Sequence, residues 1–143
     1  MTAVALHFGQ SAKAAMISGA DQLADAVAVT FGPCGRSVLL EQSNSKHPLV
    51  ARDGVTVADA LEADNRIEQI GLRLIRRAGQ RVGEEIGDGT TTTIILARAL
   101  AAEGLKAVAA GIDPVELRAF LNEAVCEVVA ELRRMATPVR GID

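Results

Sequence analysis

Gly87-Asp88-Gly89-Thr90-Thr91-Thr92-Thr93 is the stretch on which the reading of this chain turns. Four consecutive threonines follow a Gly-Asp-Gly turn and lead into an apolar, Ala-rich segment running from Ile94 towards Leu100. Threonine is a mediocre helix former because its branched side chain restricts its rotamers. Four of them in a predicted first helical turn point to a task other than helix stability. Glycines let backbone approach a ligand closely, and the amides of a helix N-terminus attract phosphate. Hydroxyls add hydrogen bonds to phosphate oxygens, and Asp88 has the chemistry to hold the magnesium that accompanies a nucleotide. The same residues also read as an ordinary turn in which Asp88 caps the helix. One short motif does not separate the two readings.

Around that motif the hydrophobic spacing predicts a mainly helical chain interrupted by one hairpin. Residues 4–8 alternate weakly and predict a short N-terminal edge strand. From Ser11, the positions Met16, Ala20, Leu23, Val27 and Phe31 follow helical spacing until Gly32-Pro33 stops the helix. Residues 37–41 read as a strand, and residues 49–52 return as its partner after a polar connection through Asn44 and His47. Asp53-Gly54 marks a further turn. A second helix is predicted over 65–82, with Ile67, Gly71, Leu74, Ala78 and Val82 on one face. Its glycines weaken it locally but permit close helix contact. The third helix begins after Gly89 and runs past Leu100 to Ala110, where Gly111 can cap it. Asp113 as cap and Pro114 at the first position begin a fourth, which Leu117, Leu121, Ala124, Val128, Leu132 and Met135 carry to Thr137-Pro138.

Composition limits the function classes. A chain of 143 residues with 49% apolar residues is expected to bury a packed core. With three Phe and no Tyr or Trp, that core must be built from Ala, Val and Leu, which favours closely approaching helices. The formal charge of −3 and the lack of stacking residues argue against nucleic acid as a partner. No apolar run approaches transmembrane length, and no secretory signal is visible, so the expectation is a cytoplasmic protein without a membrane partner. Cys34 and Cys126 have neither metal-ligand spacing nor a disulfide framework, and His7 and His47 add no zinc pattern.

Other turns carry weaker signals. In Thr30-Phe31-Gly32-Pro33-Cys34-Gly35 two glycines free the backbone to wrap a phosphate or a base, although a plain helix-to-strand connection has the same look. Arg52-Asp53-Gly54 sets a cation and a carboxylate at the end of the hairpin, where a carboxylate can orient a water beside a terminal phosphate. Arg73, Arg76, Arg77 and Arg81 read as a solvated basic face. Neither a GxxxxGK[ST] loop nor a strand-linked GxGxxG is present, which disfavours P-loop and Rossmann nucleotide sites.

Taken in order, these motifs resemble the group I chaperonins, the GroEL family. The resemblance runs through Leu23-Ala24-Asp25-Ala26-Val27, Thr30-Phe31-Gly32-Pro33 and Gly35-Arg36. It continues through Asp53-Gly54-Val55-Thr56-Val57-Ala58, Gly87-Asp88-Gly89-Thr90-Thr91-Thr92 and finally Glu103-Gly104-Leu105-Lys106-Ala107-Val108-Ala109-Ala110-Gly111. It spans roughly residues 4–138 at family spacing. The implied fold is a mainly α, equatorial-domain-like helical bundle with a small β-hairpin and a short N-terminal strand. Residues 1–143 would form one partial equatorial domain, lacking the apical, intermediate and returning equatorial segments.

The resemblance also implies roles. Thr30, Phe31, Gly32 and Pro33 fall on the turn that approaches the phosphates and packs against the base. Arg52 stands where the family usually has Lys, and a planar guanidinium is not a point charge. Asp53 matches the carboxylate that helps activate the attacking water, and Asp88 matches the magnesium ligand. Gly89, Thr90, Thr91 and Thr92 match the phosphate cradle. The implied cofactors are ATP and magnesium, with potassium as a further candidate ion. The implied partners are ring-forming copies or other chaperonin subunits, with the hairpin over 37–52 pairing with a neighbour's terminal strands. Co-chaperonin and unfolded substrates would be met through regions absent from this chain. Cys34 replaces the usual Lys of the Gly-Pro-x-Gly-Arg turn and reads as a neutral substitution.

The expected activity is a chaperonin ATPase that couples hydrolysis to protein folding in full-length relatives. Because the chain stops at Asp143, near where the family chain leaves this domain, weak turnover and association through exposed apolar helix faces are expected. The alternative from a different class is a truncated paralogue acting as an interaction module that docks on chaperonin rings. A third is a fragment of an ordinary chaperonin.

Overall fold

The computed structural model describes residues 5–41 and 47–138. In chain order its elements are α1 (Gly9–Ala28), β1 (Val38–Leu40), β2 (Leu49–Ala51), α2 (Gly54–Ala60), α3 (Arg66–Ile86), α4 (Thr90–Ala109) and α5 (Pro114–Met135). Two compact units divide the chain, Met1–Ala102 and Glu103–Asp143.

The first unit is organised around α1 and α3. These helices meet backbone to backbone: a Cβ on Gly19 would lie 1.9 Å from the Glu68 carbonyl oxygen, and one on Gly71 would lie 1.9 Å from the Met16 carbonyl oxygen. Only glycine permits so close an approach. At the rim of this crossing, Ser18 Oγ and Gln22 Nε2 donate to the Glu68 carboxylate at 3.3 and 2.7 Å. Among the described residues the buried core has no aromatic side chain. Ala20, Leu23, Ala24 and Val27 of α1 pack with Leu72 and Ile75 of α3, Val57 and Ala58 of α2, Ala51 of β2 and Ile94 of α4. Each fully buried Leu, Ile or Val contributes about 1.5–3 kcal/mol of apolar burial, which is how short side chains sustain this unit.

The hairpin is antiparallel, pairing Val38 with Ala51, Leu39 with Val50 and Leu40 with Leu49. Val38, Leu40 and Ala51 face the core, whereas Leu39 and Val50 stand exposed on the other face. The connection through Asn44 lies outside the described residues.

Several boundaries differ from the sequence reading. The predicted N-terminal strand begins outside the described residues. Residues 5–8 have no partner strand among the described residues, so no ladder forms there. α1 starts at Gly9 and ends at Ala28, short of Phe31, and α3 continues to Ile86 rather than Val82. Asp53-Gly54, expected as a turn, opens a helix: Asp53 Oδ1 accepts from the Thr56 amide at 2.8 Å and caps α2. The buried face of α3 is Gly71, Leu72, Ile75 and Gly79, and Leu74 is exposed. The glycine contacts decide that rotation, since α3 must turn Gly71 towards α1.

In the second unit the end of α4 closes with a Schellman motif. Gly111 adopts φ 102°, its amide donates to Val108 and the Ile112 amide donates to Ala107. Asp113 then accepts from the amides of Val115 and Glu116, with Pro114 at the first helical position. Leu117 is half-buried and reaches the Gly104 backbone, yet no described residue of α5 is fully buried. Phe120, Val125, Val128, Leu132 and Met135 are exposed. Among the described residues no helix is long and apolar enough to cross a membrane.

Candidate functional site

The ends of four helices and one strand surround a cleft of about 670 Å³ in the first unit. The turn after α1 supplies Thr30, Phe31 and Gly32, and the end of β2 supplies Arg52. The start of α2 supplies Asp53, Gly54 and Val55, and the α3–α4 junction supplies Gly87, Asp88, Gly89, Thr90, Thr91 and Thr92. The site residues expected from sequence therefore come together, with Pro33 as the exception. Pro33 sits at the second position of a turn closed by the Gly35 amide on the Gly32 carbonyl at 3.0 Å, where its fixed φ is favoured.

Glycine is what lets these ends converge. A Cβ on Gly54 would strike Thr91 Oγ1 at 1.8 Å, and one on Gly83 would lie 2.7 Å from Thr90 Oγ1. Gly87 and Gly89 take φ of 88° and 91°, which folds the chain sharply from α3 into α4 around Asp88. The Asp88 carboxylate accepts from the adjacent Gly89 amide at 2.6 Å. It is therefore not the cap of deeper amides that one sequence reading allowed. The Thr93 amide makes the first helical bond, to Gly89, so the amides of Thr90, Thr91 and Thr92 are the orphan donors of the helix start.

The hydroxyls are not equivalent. Thr90 is buried against Gly83, Thr91 is half-buried against Gly54 and Thr92 is exposed. Thr93 donates its hydroxyl to the Gly89 carbonyl at 2.9 Å, and Thr30 donates to the Val27 carbonyl at 2.8 Å. With its proton so committed, the Thr30 oxygen offers only lone pairs, which suit a cation or a donor rather than a phosphate oxygen.

Four carboxylates, Asp53, Asp59, Glu84 and Asp88, line the cleft with one guanidinium, Arg52. A polyphosphate entering alone meets net repulsion from those charges. A hard divalent cation, sharing oxygen ligands between carboxylate and phosphate, reverses that balance. Among the described residues no three His, Cys, Asp or Glu side chains gather into a ready-made metal site. A cation here would therefore complete its ligand set with the bound anion. The donor set fits magnesium in that role: exposed carboxylate, hydroxyls and neighbouring amides for the phosphate. The Thr56 amide, helped by the Thr56 hydroxyl, holds the Asp53 carboxyl below the usual carboxylate range. Asp53 is thus fully ionised near neutrality. Exposed Phe31 offers an apolar surface at the rim.

Sequence reasoning misses Asp59, Gln80 and Glu84 as cleft residues. Asp59 lies beyond a residue pair that reads as a turn, and Gln80 and Glu84 lie on a helix whose rotation the apolar spacing misplaces. The available signal is Gln80, Gly83 and Gly87 recurring at helical spacing directly before the threonine motif.

Residues 23–143 match the TCP-1/cpn60 chaperonin family. The chain is 45% identical over 139 residues to Chaperonin GroEL 2 of Cereibacter sphaeroides, covering 97% of this chain and 26% of that protein. It thus spans about a quarter of the length of the curated relatives it matches. A group III chaperonin in the open state superposes with a TM-score of 0.75 and 27% identity, over 90% of this chain and 25% of that one. The chaperonin gp146 from bacteriophage EL 2 (Pseudomonas aeruginosa), crystallised in the presence of ATP-BeFx, gives a TM-score of 0.74 and 28% identity over 92% of this chain and 23% of its own. The mainly α architecture with its two-stranded hairpin is the chaperonin equatorial-domain type.

Proposed function

This chain belongs to the TCP-1/cpn60 chaperonin family, and from that membership we propose that it forms the ATP- and magnesium-binding part of a chaperonin subunit's equatorial domain. The observation that carries the proposal is the single cleft shared by Thr30, Arg52, Asp53, Asp88 and the amides of Thr90 to Thr92. The α4 amides and its positive dipole end hold phosphate oxygens. Asp88 is the residue that would hold magnesium, with the bound phosphates completing the set. When bound, magnesium supplies charge neutralisation and orientation of the phosphates. Thr30, which presents lone pairs, is the candidate ligand for potassium.

Asp53 has two tasks in this reading. One oxygen is committed to the Thr56 amide, which fixes the carboxylate and keeps it ionised. Its remaining lone pairs orient a water towards the terminal phosphate. Arg52 steadies the phosphates as a guanidinium, and Phe31 with Gly32 lies against the base or ribose side. Residues 1–143 act as one partial equatorial domain. Ring assembly with other chaperonin subunits, coupling of hydrolysis to folding, contact with co-chaperonin and a cytoplasmic location belong to the same proposal.

Titration calorimetry with ATP tests the core of the reading. Magnesium-dependent binding that Asp88→Ala weakens by about tenfold or more, the loss of a charged ligand, is the expected result. A second reading is favoured by the exposed outer face of the hairpin, Leu39 and Val50: a module that docks on chaperonin rings through its hairpin and exposed helix faces without nucleotide. A folded chain that binds rings but takes up no magnesium-ATP would establish that reading and overturn the first.

A further inference from the structure

Between the cleft and the basic side of α3 runs a set of hydrogen bonds that the nucleotide reading leaves unused. The Ala63 amide donates to Gln69 Oε1 at 2.6 Å, Arg76 Nη2 donates to the Leu61 carbonyl, and Gln80 Nε2 donates to Asp59 Oδ1 at 2.7 Å. Positions 69, 76 and 80 are seven and four residues apart, two turns and then one further turn of helix, so they form one stripe along α3. Their partners run the opposite way, 63, 61 and 59. α3 thus grips the whole exit of α2 with three polar side chains, as a zipper rather than by a single contact.

The grip has a direction. α2 is a seven-residue helix, too short to hold itself. Its first turn carries Asp53 and Gly54 into the cleft, and its last residues are the ones α3 holds. Arg76 reaches the carbonyl at the α2 C-terminus, where a cation also suits the helix dipole. Burial draws the Arg76 pKa down, while the nearby Asp59 and Glu62 charges oppose that fall. Arg76 is therefore not part of the solvated face that the arginine run suggested. Continuing the stripe beyond Gln80 reaches Gly83 and Gly87, both in the cleft wall. Gln80 and Asp59 line the cleft as well, so the innermost tooth of the zipper borders the nucleotide space itself.

We propose that Gln80 is a positioning residue for nucleotide binding: by holding Asp59 it fixes α2 so that Asp53 and Gly54 meet the N-terminus of α4. The inference rests on the nucleotide reading above. It has a second consequence for charge. Gln80 occupies one of the four cleft carboxylates as an acceptor, and releasing Asp59 leaves its charge unengaged beside the phosphates.

The test is calorimetric titration of magnesium-ATP into the wild-type chain and three variants, with thermal unfolding measured alongside. Gln80→Ala weakens binding about three- to tenfold, the range for an ordinary net hydrogen bond, as suits a pair that lies exposed to solvent. Gln80→Glu weakens it further, because a second carboxylate then faces Asp59. The exchanged pair Asp59→Asn with Gln80→Glu restores the hydrogen bond with donor and acceptor reversed, and brings affinity back to within about twofold of wild type. Hydrogen exchange at the Thr56 amide rises in the two weakened variants and returns in the exchanged pair, because that amide reports the Asp53 cap. Wild-type affinity in Gln80→Ala, or failure of the exchanged pair to rescue binding while it unfolds at the wild-type temperature, overturns the proposal. No binding by the wild-type chain instead refutes the nucleotide reading, which keeps the two failures distinct.

Discussion

Replacing Gly71 with alanine sets two effects of opposite sign against each other. In an isolated helix the change is favourable, since alanine exceeds glycine by about 1 kcal/mol. In this fold the new Cβ would sit 1.9 Å from the Met16 carbonyl oxygen and 2.6 Å from its carbon. Reaching ordinary contact at 3.4 Å requires α1 and α3 to part by about 1.5 Å locally. A carbonyl has no rotamer through which to yield, so the cost lies at the upper end of the roughly 1–3 kcal/mol for overpacking. Parting the helices also loosens Leu23, Leu72 and Ile75, and a gap of 0.5–1 Å already forfeits about a quarter to a half of a dispersion contact. The net expectation is a loss of about 2 kcal/mol, overpacking less the helix gain. With no Trp or Tyr in the chain, urea unfolding is best followed by far-ultraviolet circular dichroism. The midpoint should fall with an unchanged slope. A Gly71→Ala midpoint equal to or above that of wild type would refute the close backbone crossing on which the first unit is built.

Gly104→Ala should show the reverse sign: its Cβ would find only Leu117 Cδ2 at 3.7 Å, so a gain of up to about 1 kcal/mol is expected. A loss in the same urea assay would mean that the second unit packs differently. Asp53→Asn should keep α2 capped yet reduce ATP turnover, whereas Asp53→Ala should do both harms, costing about 1 kcal/mol of cap as well; equal turnover in the Asn variant and wild type would remove Asp53 from the chemistry. Because the folded Asp53 carboxyl is lowered, the stability it contributes is present above its unfolded pKa of about 3.9 and disappears as pH falls through the folded value. The Thr56 amide shift followed by NMR should therefore titrate with a midpoint below about 3.9, and a midpoint at or above that value counts against the cap. Exposed Phe120, Val128 and Leu132 on α5 predict concentration-dependent association, which Phe120→Glu should reduce in light scattering; a strictly monomeric wild-type chain would contradict it.

Features that depend on local backbone chemistry are legible in the sequence. Gly87-Asp88-Gly89 announces positive φ and a helix start, and both are present. Asp113-Pro114 announces a capped helix, and α5 begins there. The same local rules misjudge Asp53-Gly54, because a helix cap and a turn use the same residue pair and differ only in the conformation of the next residues. Val57 and Ala58, buried in the core, decide for the helix, and that burial is a tertiary fact. The rotation of α3 is likewise hidden. Leu74 is as apolar as Leu72, and only the approach of Met16 to Gly71 turns one inward and the other outward. Arg76 illustrates the limit most sharply: its neighbours Arg73, Arg77 and Arg81 have the same chemistry, yet Arg76 is the one that reaches a carbonyl at the exit of α2. The motif residues thus mark where the cleft is, while its remaining walls, Asp59, Gln80 and Glu84, are set by which side of α3 the glycines force inward.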